Sequence, residues 1–153
     1  MTLLTEPIAD QCNCLALRQA SRHVTQFYDR HLARAGLRTT QFSILAKLKR
    51  LGAMTINTLA QLMVMDRTTL GRTILPLQRE GLIVVRRGET DRRRRGLHLT
   101  VAGAERLRLG AEAWAEAQAQ FEAAFGSARA VHLRALLGTV TMSDLGPAAA
   151  PAR

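Results

Sequence analysis

The chain is poor in aromatic residues, with one Trp, one Tyr and four Phe among 153 residues. Leu and Ala are abundant instead, a composition that favours helices. Only two cysteines occur, Cys12 and Cys14. They are too few and too close together for a disulfide framework, so both are expected as thiols. No apolar run reaches the length of about 18 residues expected of a membrane span. The N-terminus carries Glu6 and Asp10 but no Lys or Arg before Arg18, unlike the basic start of a secretory signal. A cytoplasmic protein with no membrane partner is expected. Catalytic signatures are missing too: there is no Gly-x-Ser-x-Gly, no phosphate-cradling glycine loop, no His-Glu-x-x-His and no carboxylate pair at a plausible strand end. No catalytic residue and no cofactor is therefore assigned. His23, His31, His98 and His132 are scattered, and the two cysteines lack the spacing of a zinc pair, which leaves no metal site. Acidic residues are scarce: 12 Asp and Glu face 22 Lys and Arg, for a formal net charge of +10. That imbalance suits an anionic polymer better than a neutral small substrate, and nucleic acid is the first candidate.

What is present is 47% hydrophobic and 22% charged residues, enough to build a sizeable core. From Leu17 the apolar positions Leu17, Ala20, Val24, Phe27, Tyr28, Leu32 and Ala35 recur at helical spacing, and Gly36 closes the pattern. A second helix begins near Thr40 and carries Phe42, Ile44, Leu45, Leu48 and Leu51 before Gly52. Thr55 can cap a short helix with Ile56, Leu59, Ala60 and Leu62 on its inner side. Asp66 can cap the next, whose stripe Leu70, Ile74 and Leu77 leaves Arg67, Thr68, Gly71 and Arg72 on other faces, and Gly81 ends it. Pro76 inside this helix removes a backbone donor, so a bend is expected there. Ile83-Val84-Val85 and Leu97-His98-Leu99 read as two strands around a charged loop. After Thr100 a long helix carries Leu107, Ala111, Trp114, Ala117, Phe121 and Phe125. Gly126-Ser127 breaks it, and a last helix carries Leu133, Leu136, Leu137 and Val140.

Short helix, turn, longer helix and hairpin is the order of a winged helix-turn-helix. The loop Arg86 to Arg95 holds six Arg against Glu89 and Asp91. A helix in the major groove with a basic hairpin beside it would use that charge. The fold class expected is mainly α with a small β-hairpin wing. Residues 37–100 form the winged helix-turn-helix, 12–36 and 101–145 the dimerisation helices, and 1–11 and 146–153 flexible tails. The apolar stripes of the terminal helices exceed what a small winged module can cover, so a second copy of the chain is expected against them.

The stretch from Cys14 to Val140 resembles the MarR family of bacterial transcriptional regulators. The resemblance rests on Leu37-Arg38-Thr39-Thr40-Gln41-Phe42, on Asp66-Arg67-Thr68-Thr69-Leu70-Gly71-Arg72, on Leu77-Gln78-Arg79-Glu80-Gly81-Leu82-Ile83, and on Asp91-x-Arg93 followed six residues on by Leu99-Thr100. It implies a homodimer reading a pseudo-palindromic operator in double-stranded DNA, and a repressor is expected. Arg67, Thr68, Thr69 and Arg72 would then face the major groove, and Arg92, Arg93, Arg94 and Arg95 would belong to the wing, where Asp91 would hold the guanidinium of Arg93. For Thr69, helix packing is an equal alternative.

Two ways of sensing are open from the same resemblance. Many members bind a small aromatic carboxylate between the dimer helices and the winged domain. Arg18, Arg22 and His23 could meet its carboxylate, and Tyr28, Phe42 and Leu45 could form an apolar wall. Alternatively, Cys14 stands where organic-hydroperoxide sensors of the family carry a reactive cysteine. Tyr28 matches one of the two tyrosines that stabilise their thiolate, but Arg18 replaces the other. Cys14 can equally be a small structural hydrophobe. In another class, a purely architectural DNA-binding protein would share the charge without sequence preference.

Overall fold

The computed structural model describes residues 11–91 and 93–146. The expected tails 1–11 and 146–153 fall almost wholly outside these residues, and so does Arg92 of the wing. The chain divides after Ala117 into two compact units. The first contains helix α1 (Asn13–Leu32), a 3-10 turn (Ala33–Ala35), α2 (Thr39–Leu51), strand β1 (Met54–Thr55), α3 (Ile56–Met63), α4 (Arg67–Arg79), β2 (Ile83–Arg87), β3 (Arg95–Leu99) and the first part of α5 (Val101–Phe125). The second holds the end of α5 and all of α6 (Ser127–Met142).

The starts of α1 to α4 each have an identifiable side chain behind them, whereas α6 starts after Gly126 without one. Cys12 is the N-cap of α1, its Sγ accepting the Leu15 N–H at 3.4 Å. Asp29 anchors the start of α2 from outside, one carboxylate oxygen accepting both the N–H and the hydroxyl of Thr39 at 2.7 Å. Thr55 caps α3 through the Thr58 N–H at 3.2 Å. Asp66 caps α4, accepting the Thr69 N–H at 2.8 Å. Between α3 and α4 the chain turns at Val64, whose φ of 52° and ψ of 46° are left-handed. A β-branched residue is disfavoured there by about 1–2 kcal/mol. Val64 is 73% exposed, so packing does not compensate it.

The core of the first unit is a single cluster. Leu32, Ile44, Leu45, Leu59, Leu70, Leu77, Leu82 and Ile83 are fully buried, and no buried polar or charged residue is found among the described residues. The α4 stripe Leu70, Ile74 and Leu77 lies at its centre as the periodicity predicts. Truncating any of these three to Ala costs about 2–5 kcal/mol. Leu32, Ala35 and Ala113 belong to the same cluster. The end of α1 and the first half of α5 therefore pack as part of the winged unit, across the boundaries 36/37 and 100/101 expected from sequence.

The sheet is antiparallel in the order β1-β3-β2, with Met54 opposite Leu97 and Val85 also opposite Leu97. The third strand, β1, was not anticipated, because it is two residues long and runs straight into the α3 cap. Leu62 is also a departure. It is exposed and Met63 packs on the core in its place, because Ile56, Leu59, Ala60 and Met63 define an arc from which Leu62 lies about 100° away. On α5 the buried positions are Gly103, Gly110, Ala113 and Ala117; of the expected stripe Ala117 is buried and Leu107 packs on the core, while Ala111 and Trp114 are exposed.

In the second unit only Ala130 of α6 is buried, while Val131, Leu136, Leu137, Val140 and Met142 are exposed. Phe121 and Phe125 lie 5.4 Å apart, and the Arg129 guanidinium covers the Phe125 ring at 4.4 Å.

The Asp66 cap has a pH signature. The Thr69 hydroxyl, and then the Thr69 N–H, hold its carboxyl below the ordinary aspartate value. A depressed folded-state value contributes stability above the unfolded pKa of about 3.9, and that stability is lost as pH falls through the folded value. The stability difference between wild type and Asp66→Asn is therefore expected to be constant above about pH 5 and to shrink toward pH 3, followed by urea unfolding across that range.

Candidate nucleic-acid interface

Helix α4 presents its outward face because its inward one is fixed by Leu70, Ile74 and Leu77. At 100° per residue, Thr68, Arg72, Leu75 and Arg79 lie within about 60° of one another on the opposite side. All four are exposed. The remaining polar residues of the helix are placed differently. The Thr69 hydroxyl donates to Asp66 Oδ2 at 2.6 Å and the Thr73 hydroxyl to the Thr69 carbonyl at 3.0 Å, so both donor protons are used within the helix. Thr69 is exposed, and its hydroxyl proton goes to the Asp66 cap.

Arg67 leans away from Thr68 toward the wing. It lines an open cleft of about 640 Å³ together with Thr55, Ile56, Asn57, Thr58, Arg93, Arg94 and Arg95. Four of these eight lining residues are arginines, and none is acidic. The N-terminus of α3 opens onto the same space, adding the positive end of its dipole. A channel with cationic walls, hydroxyl and amide groups on its floor and free access from solvent suits the passage of a phosphodiester backbone. Asn57 and Thr58 had not been singled out from sequence; the Thr55-x-x-Thr58 cap was the signal that placed them at an exposed helix start.

The wing is a hairpin in which Arg87 pairs with Arg95 and Arg86 with Gly96. Its tip is closed by the Gly88 N–H to the Arg94 carbonyl at 2.8 Å and the Arg94 N–H to the Asp91 carbonyl at 3.1 Å. The Asp91 carboxylate accepts the backbone N–H of Arg93 at 3.0 Å. It therefore orders the tip through the main chain, whereas the resemblance implied a bond to the Arg93 guanidinium. Gly88 is required by this closure, since a Cβ there would lie 2.8 Å from the Asp91 carbonyl oxygen.

The expected ligand residues do not form one group. Arg18, Arg22 and His23 are exposed on α1, Tyr28 is buried against Phe27 with ring centroids 5.5 Å apart, and Leu45 is fully buried in the core. Leu45 is consequently a core residue and not a free wall. Phe42 is half-buried and stacks on Trp114, centroids 6.2 Å apart and planes 18° from parallel. Trp114 had been read only as a helix-stripe residue. Cys12 and Cys14 are both exposed free thiols. They do not share the helix, because Cys12 stands before it as the cap and only Cys14 is in its first turn. No helix among the described residues is long and apolar enough to cross a membrane.

Comparison with known proteins follows this geometry. The MarR family model matches residues 37–94, which hold α2 to the wing tip. Curated protein sequences give no match. Among solved structures, the transcriptional regulator MosR of M. tuberculosis in complex with DNA shares 34% identity, with 86% of this chain and 97% of that one covered and a TM-score of 0.74. A probable transcriptional regulator from Pseudomonas aeruginosa shares 29% identity, covering 86% and 98%, with a TM-score of 0.76. BpsR of Bordetella bronchiseptica has the same fold at 20% identity, covering 88% and 96%, with a TM-score of 0.78. With a winged helix-turn-helix, an arginine-lined cleft beside its second helix and a 34% identical relative matched over nearly its whole length, the chain belongs to the MarR family of transcriptional regulators.

Proposed function

We infer that the protein is a cytoplasmic, sequence-selective repressor that binds a pseudo-palindromic operator as a homodimer and is released by a small aromatic carboxylate. The observation that carries the DNA-binding geometry is the division of arginines. Arg72 stands with Thr68 on the outward face of α4, the position for guanine edges in the major groove. Arg67, Arg93, Arg94 and Arg95 line the cleft, the position for phosphates and the flanking minor groove. Arg92 joins them in the sequence of the wing. Asp91 acts by shaping the tip that carries them.

The two sets should respond differently to truncation. Arg67→Ala is expected to weaken binding to all sequences alike and to lower the salt slope by about 0.9, as for one lost phosphate contact. Arg72→Ala is expected to cost about 1–3 kcal/mol on the preferred site only and to relax the preference. Titrations on DNA flanking the protein's own gene and on random DNA, over a salt series, measure both. Equal binding of the wild type to the two DNAs would instead support the architectural reading.

Homodimerisation is supported by the apolar side chains that one chain leaves exposed, Leu15 and Leu17 on α1 and Val131, Leu136, Leu137, Val140 and Met142 on α6. Sedimentation at micromolar concentration should show one species at twice 16.8 kDa; a species at the single-chain mass would remove the dimer and with it the palindromic operator.

For release, the stacked Phe42 and Trp114 offer aromatic faces, Arg18 and Arg22 offer exposed cations for a carboxylate, and His23 an exposed imidazole. Tyr28 borders them in sequence but is buried. DNA binding of BpsR is regulated by 6-hydroxynicotinic acid, an aromatic acid of this class. Trp114 is the chain's one Trp and so reports on its own site. An aromatic acid such as 6-hydroxynicotinate is expected to change its fluorescence and to displace the operator, both effects being lost in Phe42→Ala. The exposed Cys14 thiol supports a second reading, oxidation by an organic hydroperoxide. Release by hydroperoxide that Cys14→Ser abolishes and Cys12→Ser does not would establish that reading in place of the first.

A further inference from the structure

One residue on the outward face of α4 and one on its flank are unexplained by the fold. Leu75 is 46% exposed on a face otherwise made of Thr68, Arg72 and Arg79. It lies about 20° from Thr68 and about 60° from Arg72 around the axis. Gly71 sits inside the helix, where glycine is less favourable than alanine. Nothing lies within 4 Å of where its Cβ would be, and its φ is not left-handed. Neither crowding nor backbone conformation requires a glycine at this position, so its cost to the helix has no return within the isolated chain.

Both features make sense against a base-pair edge. Thr68 to Leu75 spans about 10 Å of helix, or about three base pairs of rise. A residue without a side chain on the groove-side flank lets the backbone come closer to the DNA. At that range an aliphatic side chain one turn further on meets the one apolar group on the major-groove edges, the thymine 5-methyl. We propose that Gly71 and Leu75 complete the base-reading strip begun by Thr68 and Arg72, Gly71 by allowing close approach and Leu75 by packing on a thymine methyl. This rests on the placement of α4 in the major groove argued above.

The test separates the two ideas. The preferred duplex is first selected from a random pool with the wild-type protein, and each thymine in it is then replaced in turn by uracil, which removes only the methyl. The wild type is expected to lose about fourfold in affinity at one position per half-site, the ~0.8 kcal/mol of one buried methyl-sized group. Leu75→Ala should still select a sequence through Arg72 but bind the thymine and uracil duplexes equally. Gly71→Ala should raise the melting temperature by roughly 2 °C while weakening binding to the selected duplex. A selected site at which no uracil replacement matters, or one whose methyl dependence survives Leu75→Ala, would overturn the assignment and leave major-groove reading intact. Gly71→Ala with unchanged affinity would overturn the role of Gly71. Failure to select any sequence would defeat the underlying reading and this one together.

Discussion

The structure of the winged unit depends on one joint, where the end of the wing meets the start of α5. The Thr100 hydroxyl donates to the Gly81 carbonyl at 2.6 Å and accepts the Gly103 N–H at 3.0 Å, while the Thr100 N–H donates to the Leu82 carbonyl at 3.2 Å. Gly103 is pressed against the same Leu82 carbonyl, which a Cβ would overlap, and a Cβ would also come within 2.7 Å of Leu99. The turn between α4 and β2, the last residue of β3 and the first turn of α5 are thereby fixed to one another within a few bonds. Interiors at this density do not deform gradually, so a displacement of the α5 start must carry β2 and the end of α4 with it. The Arg106–Glu80 ion pair at 3.0 Å spans the same joint from the surface, where such pairs add little.

Charge is arranged by a second constraint, the absence of buried polar residues in the described core. No arginine among the described residues is buried, and the wing and the start of α4 gather several of them around one cleft. Clustered guanidinium groups repel one another, and in water over several ångströms that repulsion is modest because solvent screens it. The Asp91 carboxylate accepts the backbone N–H of Arg93 and is not among the residues that line the cleft. The cleft thus retains its positive potential in the free protein. A DNA phosphate neutralised there gives up the counterions condensed along the duplex, which is the origin of salt-dependent affinity.

Much of this could be read from sequence because it depends on local rules. Asp66, Thr55 and Thr100 act as caps, Gly36, Gly52 and Gly81 end helices in left-handed or otherwise glycine-favouring conformations, and the Leu70–Ile74–Leu77 stripe lies where its period puts it. The features that could not be read depend on what the chain meets in three dimensions. Strand β1 is defined by Leu97 and Gly96 opposite it and carries too few residues for a period. The buried edge of α5 is made of Gly103, Gly110, Ala113 and Ala117, residues with little hydrophobic signal, chosen for how closely another segment approaches. The separation of Arg67 from Thr68 and Arg72 follows from the position of the wing, and the loss of the Thr69 proton to Asp66 from a rotamer. A list of polar residues on one helix could not distinguish these.

The small-residue edge of α5 also bears on how a displacement there could reach α4. Gly103, Gly110 and Ala117 are seven apart and lie on nearly one line along the helix, drifting by about 20° per step. At Gly110 a Cβ would come within 3.0 Å of Phe42 and of Leu37, so α5 is already in close contact with α2 at the level of the Phe42–Trp114 stack. Anything that enters that stack must separate rings which now rest together, and α5 can yield only away from α2. Gly103 lies two turns back on the same edge, locked to Leu82 and through it to the end of α4. A helix held at one end and pushed about 10 Å away acts on its fixed point, and that fixed point is where α4 ends.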